Sequence, residues 1–281
     1  MSATWPALAL MAALLAATCW LMPLTAKADT TGAALRVCAD PNNMPFSNAE
    51  GRGFENRLAE LMAQALGKHV EYTWWAQRRG FVRNTLNAGA CDIVMGLPAA
   101  SDHVLATRAY YRSGYVLVTR QDRNLNLSSL DDPRLQSLKI GVHLIGDNST
   151  PPVLALARRG IVNNVLGYSI FGDYREPNPP ARLIEAVADG EVDVALAWGP
   201  LAGYFASHSA VPLEVIPLAD DPRDPPFRFS IAMGVRPGDT ALKRRLDTEL
   251  ERHCGDIDAL LRQYGVPLLD NADNVPAAGL K

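Results

Sequence analysis

Apolar positions along the chain follow two alternating spacings. The run at 35–39 (LRVCA) has strand length and stops at Asp40-Pro41-Asn42-Asn43, a strong loop signal. Phe54, Leu58, Leu61, Met62, Ala65 and Leu66 recur at three and four, which predicts an amphipathic helix over 53–66 that Gly67 stops. Val70, Tyr72 and Trp74 alternate as a strand; 81–88 reads as a helix ended by Gly89, and 91–96 (CDIVMG) as a buried strand. Strands at 138–142 and 192–198 and helices at 153–159, 181–189 and 201–207 follow. Alternation of this kind implies parallel sheets covered by helices, an α/β class.

A weak internal repeat refines the picture. Residues 84–98 (NTLNAGACDIVMGLP) and 185–200 (EAVADGEVDVALAWGP) share one order: helix end, Gly, two residues, Asp, buried strand, Gly/Pro break. Asp92 and Asp193 lie 101 residues apart, and the strands starting at Leu35 and Leu138 lie 103 apart. Two elements at nearly one offset suggest two similar lobes. Their strand ends would face a common cleft, where ligands of open α/β sheets bind.

Residues 1–28 differ in composition from the rest. Positions 7–24 are apolar apart from Thr18, Cys19 and Pro23 and lead to Ala26-Lys27-Ala28, a small-x-small cleavage pattern. We read an export signal, against two alternatives: an uncleaved anchor, which wants about 20 clean apolar residues, and a lipoprotein modified at Cys19. Over the full 281 residues, 48% are hydrophobic and 20% charged, which is globular rather than disordered composition. The formal charge is −3, and it becomes −4 without the leader, which carries Lys27 and no acid. The longest basic run is the short Lys243-Arg244-Arg245, beside the pairs Arg78-Arg79 and Arg158-Arg159, and the absence of a longer stripe argues against a nucleic-acid binder. Leader removal leaves Cys38, Cys91 and Cys254, which allow one disulfide and one odd thiol. Cys38 on the first strand and Cys91 opening its neighbour are one candidate pair, although adjacent parallel strands seldom align two cysteines at bonding geometry.

The ordered set of segments resembles a known family. An export signal, LRVCADPNNMPFS, the helix GFENRLAELMAQALG, the strand CDIVMG and the pair Tyr110-Tyr111 before YVLVT are similar to type II periplasmic solute-binding proteins of bacterial family 3, over nearly all of 35–268. More narrowly, residues 38–48, 74–98, 110–116, 172–187 and 197–206 are similar to the quinoprotein-dehydrogenase-associated branch, the J component of methanol-oxidation operons. The resemblance implies a two-lobed periplasmic binding protein fold with a central cleft and two crossing hinge strands. Lobe 1 would comprise 29–118 and 229–270, lobe 2 would comprise 119–228, and 271–281 would be a tail.

The departures from amino-acid-binding relatives point away from a free amino acid. Where those proteins place an Arg for the substrate carboxylate, this chain has Leu97 to Asp102; where they place an Asp for the amine, it has Trp198-Gly199. The third anchor survives only as Asp147-Asn148-Ser149-Thr150 before Pro151-Pro152, with Ser149 and Thr150 as candidates for a cap or an anion site. Asp40, Asn42, Asn43 and Phe46 end the first strand and are cleft candidates, against simple turn formation. Trp198 is the matching candidate from lobe 2, while at Tyr110 and Tyr111 hinge packing competes with ligand contact. Trp74, Trp75, Arg78 and Arg79 follow a strand and form a candidate partner surface, because Trp and Arg dominate interface hot spots; the alternative is a core Trp74 and solvated arginines.

Catalytic constellations are missing from the chain. Gly167-Tyr168-Ser169-Ile170-Phe171 fails the nucleophile-elbow pattern at its last position. The five histidines show no metal-site spacing, and no phosphate loop or haem motif occurs, so no cofactor or metal is implied. Two binding roles remain. One is a periplasmic accessory to a dehydrogenase dependent on pyrroloquinoline quinone (PQQ), with or without that enzyme's cytochrome c as a further partner. The other is the receptor of an ABC importer for a small non-amino-acid solute.

Overall fold

The computed structural model describes residues 33–145, 148–171 and 173–269. The leader, Cys19 and the tail at 271–281 lie outside these residues. The chain opens with β1 (Ala34–Ala39), the short hairpin β2 (Asn42–Asn43) and β3 (Ser47–Asn48), and α1 (Phe54–Ala65). Phe54, Leu58 and Met62 fall on one face of α1 and expose no surface; burying each stabilises by about 1.5–3 kcal/mol. The Asn56 side chain fixes the start of α1, its Oδ1 accepting from the N–H of Gly53 at 3.0 Å and of Asn48 at 3.1 Å. Only glycine fits at position 53, where a Cβ would lie 2.0 Å from the Phe46 carbonyl oxygen.

β4 (His69–Trp74) runs parallel to β1. The helix expected over 81–88 is one turn, α2 (Phe81–Asn84). Thr85 ends it: its hydroxyl donates to the Phe81 carbonyl at 2.7 Å, and its backbone turns to φ −118°, ψ −82°. β5 (Ile93–Pro98) flanks β1 on the other side and starts two residues later than expected. Cys91 therefore precedes the strand instead of opening it. There it bonds to Cys38 with Cα atoms 5.6 Å apart, outside the parallel ladder that would have held the two cysteines apart.

β6 (Leu105–Arg120) is one strand of 16 residues, of which the apolar pattern marked only YVLVT. After it come β7 (Ile140–Ile145), β8 (Asn148–Ser149), α3 (Pro151–Arg158), β9 (Val165–Ser169), α4 (Arg182–Ala188), β10 (Val194–Trp198) and α5 (Gly199–Ser207). β11 (Leu213–Pro217), β12 (Arg228–Val235), α6 (Thr240–Arg252) and α7 (Cys254–Gln263) complete the described chain. The sequence reading assigned no element beyond residue 207. In α6 only Leu246 and Leu250 are buried, which is too sparse a stripe to stand out.

β6 joins two arrays. Up to Gly114 it pairs antiparallel with β12; from Tyr115 it pairs with β10 and β11. One array runs β4-β1-β5-β12-β6 and the other β9-β7-β10-β6-β11. The chain returns beside the switch point, where Tyr115 N–H donates to Phe227 O at 2.9 Å and Leu218 N–H to Tyr115 O at 3.0 Å. The repeated aspartates play the same part in each array. Asp92 N–H donates to Arg36 O at 2.8 Å while its carboxylate accepts from Arg36 N–H at 3.1 Å; Asp193 makes the same pair with Lys139 at 2.9 and 2.8 Å. Each clasp locks a parallel strand pair just before its ladder begins. The first array buries Phe54, Leu58, Met62 and Leu261; the second buries Leu183 and Leu201 on one face and Leu135 and Leu156 on the other. No helix among the described residues is long and apolar enough to cross a membrane.

Candidate functional site

The carboxyl ends of β1, β5, β7 and β10 and the middle of β6 with the start of β12 meet around a cleft of about 360 Å³. Asp40 closes β1 at its edge and is 2% exposed. Its Oδ1 accepts from Asn42 N–H at 2.8 Å. Its Oδ2 accepts from Gln77 N–H at 2.6 Å and from the Tyr174 hydroxyl at 2.5 Å. Burial first and the Asp40 carboxylate second push the Tyr174 phenol well above its ordinary range, so it stays protonated and donates. The Arg78 guanidinium lies 4.8 Å above the Tyr174 ring and 5.9 Å from Phe171. Asn42 completes the fastening: its Nδ2 donates to Glu176 O at 2.9 Å and its Oδ1 accepts from Asn178 N–H at 3.0 Å. The 173–178 segment is thus bound across the cleft to the end of β1 and to the turn after β4.

The remaining walls are mostly apolar. Tyr115, Trp198 and Phe229 form a triangle of edge contacts, with centroids 5.5, 5.9 and 6.5 Å apart. Phe46 meets Phe54 edge-on at 5.3 Å. Burial lifts the Tyr115 phenol to about 12. Glu55, in the first turn of α1, also lines the cleft while only 6% exposed. Its carboxyl lies over Gly96, where a Cβ would come within 2.3 Å of Oε1. Burial raises Glu55 to about 8, opposed by a hydrogen bond from Tyr110. Oε1 meets no hydrogen-bond partner among the described residues.

Of the residues read from the sequence as cleft candidates, Asp40, Asn42, Asn43, Phe46, Tyr111 and Trp198 line this space. Tyr110 turns into the core, where its hydroxyl accepts from Gly96 N–H at 3.1 Å. Ser149 is exposed, and Thr150 is buried with its hydroxyl donating to His143 O at 3.2 Å; neither lines the cleft. The start of α3 presents Pro151 and Pro152, which lack the N–H donors an anion would need. Trp74 is half-buried and stacks on Tyr72 at 4.4 Å, whereas Trp75 is 48% exposed. Arg79 is exposed, and Arg78 is committed to Tyr174. Sequence reasoning passed over Tyr174, Gln77, Glu55, Tyr115 and Phe229. For Tyr174 a signal existed, since it sits in the 172–187 stretch that carries the resemblance.

Comparison with known proteins agrees with this architecture. The model of the bacterial extracellular solute-binding proteins, family 3, matches residues 35–266. Protein MoxJ of Methylorubrum extorquens is 36% identical over 248 residues, covering 84% of this chain and 81% of that one. The crystal structure of the periplasmic binding protein XoxJ from Methylobacterium extorquens is similar with a TM-score of 0.71 at 40% identity, over 84% of this chain and 99% of that one. MxaJ from Methlophaga aminisulfidivorans matches with a TM-score of 0.71 at 26% identity, over 84% and 100% of the two chains. These relatives fit the J branch that the five segments indicated. On its sequence and its two-lobed fold, the chain belongs to the bacterial extracellular solute-binding proteins of family 3.

Proposed function

We propose that this protein is a periplasmic, non-catalytic accessory of a PQQ-dependent alcohol or methanol dehydrogenase, acting by protein contact in its maturation or activation. One observation supports the reading best. Three of the segments that resemble the J branch meet at a single place: Asp40 and Asn42 from 38–48, Gln77 and Arg78 from 74–98, and Tyr174 and Asn178 from 172–187. The groups that would face a polar solute are spent on this internal fastening. That outcome suits a scaffold for a partner better than a carrier of polar nutrients. Trp75 and Arg79 lie exposed beside the fastening and supply contact residues of the kind that dominate interfaces.

The test is capture of the dehydrogenase from the periplasm of the native host on the tagged, exported protein. The dehydrogenase should be identified in the eluate, with or without its cytochrome c, and its activity should fall in a deletion strain. Recovery of an ABC permease instead, with dehydrogenase activity unchanged on deletion, would establish the importer-receptor role in its place.

A further inference from the structure

The chemistry of the cleft defines a second site whose existence does not depend on the dehydrogenase contact. Among the described residues no Lys or Arg lines the cleft, and the nearby Arg78 is stacked on the Tyr174 ring, so the lining itself offers an anion no direct counter-charge. Asp40 already accepts three hydrogen bonds. The other acid, Glu55, is nearly buried, and its Oε1 has no hydrogen-bond partner among the described residues. A buried polar atom without a partner is destabilising, and a ligand group placed there would recover that loss. The same cleft is lined by the rings of Tyr115, Trp198 and Phe229, surfaces suited to a flat apolar body. A volume of about 360 Å³ lies at the small end of ligand pockets.

We propose that the cleft binds an uncharged, ring-bearing small molecule that presents an oxygen acceptor to the Glu55 carboxyl and lays its ring against Tyr115, Trp198 and Phe229. Glu55 retains its proton at neutral pH because burial lifts it to about 8. The titratable groups packed near it are Tyr110 and Tyr111 of β6 and Tyr72 of β4, all raised by burial and therefore neutral too. A protonated carboxyl can donate to a carbonyl, ether or hydroxyl oxygen. Once ionised it can only accept, and it would repel the same group.

The probes are 1-naphthamide, 1-naphthoate and 1-naphthylmethylamine, titrated calorimetrically into the exported protein. At pH 6.5 naphthamide should bind at least tenfold more tightly than either charged analogue, and its affinity should drop at least fivefold at pH 9.5. Glu55→Gln, whose amide still donates, should bind naphthamide at pH 6.5 and lose that pH dependence. Should the variant fail to fold, the wild-type selectivity and its alkaline loss decide alone. Equal affinity for naphthoate and naphthamide, or no naphthamide binding at millimolar concentration, would overturn the proposal. Neither result would touch the capture of the dehydrogenase.

Discussion

The Tyr174 hydroxyl donates to the Asp40 carboxylate at 2.5 Å across 134 residues of sequence, tying one lobe of the protein to the other. In a two-lobed binding protein a ligand ordinarily bridges the lobes, and population of the closed form depends on it. Here a side chain of the protein supplies the bridge, with Asn42 and Arg78 reinforcing it.

Tyr174→Phe keeps the ring under Arg78 and removes only the hydrogen bond. A hydrogen bond to a charged group contributes about 1.5–3 kcal/mol, and partial solvent access places this one at the lower end. We expect the variant to populate an open form, seen as a larger radius of gyration in small-angle scattering. An unchanged radius would mean that the fastening does not hold the lobes.

The four residues read as one surface patch should separate in mutagenesis. Trp75→Ala with Arg79→Ala should weaken dehydrogenase binding by on the order of thirtyfold, about 2 kcal/mol, at unchanged melting temperature. The deficit should shrink at high salt, which screens the Arg79 contribution in the wild type. Arg78→Ala should instead act on lobe closure by roughly 0.5–1 kcal/mol, the value of an exposed cation–π contact. Equal binding losses from Arg78→Ala and Arg79→Ala, with no change in radius, would contradict the division.

The Cys38–Cys91 bond ties β1 to the entry of β5 and leaves Cys254 as the exposed free thiol among the described residues. Its removal by paired alanine substitution should cost about 2–4 kcal/mol of unfolding free energy. Native thiol titration should detect Cys254 but neither Cys38 nor Cys91; peptide mapping with both of these labelled would refute the linkage.

Two buried groups set opposite limbs of the stability–pH curve. His143 donates through Nε2–H to Pro180 O at 3.2 Å, and burial lowers it to about 4. The unfolded chain takes this proton first, so stability is lost as pH falls from about 7 toward 4. Glu55 has the reverse sign. Its folded form keeps a proton that the unfolded form has already released, so stability is lost as pH rises from about 4.5 toward 8. Urea unfolding across this range should show Glu55→Gln flattening the alkaline limb and His143→Gln the acid limb. A Glu55→Gln curve parallel to the wild type would show that Glu55 is ionised in the folded protein.

The amino-acid sequence by itself determined the class of the fold, because its signals are local. Phe54, Leu58 and Met62 recur at a helical interval, short apolar runs end at Gly or Pro, and both consequences follow from backbone geometry alone. It also carried the lobe repeat, since Asp92 and Asp193 bond to the backbone of a neighbouring strand and need only a fixed place before their own. Asp40, Asn42, Phe46 and Trp198 were legible as cleft residues because a strand's carboxyl end is a position that sequence can mark. Tertiary structure alone decided the rest. Tyr174 finds Asp40 only when two lobes meet, and Glu55 becomes a neutral group only because β5 and β6 cover an otherwise ordinary acid in a helix's first turn. The extent of β6 was hidden for a related reason: a strand that changes partners midway, from β12 to β10 and β11, is buried by two different environments and shows no single alternation. Patterns that repeat along the chain can be read from the chain, whereas contacts between distant residues arise from closure of the fold.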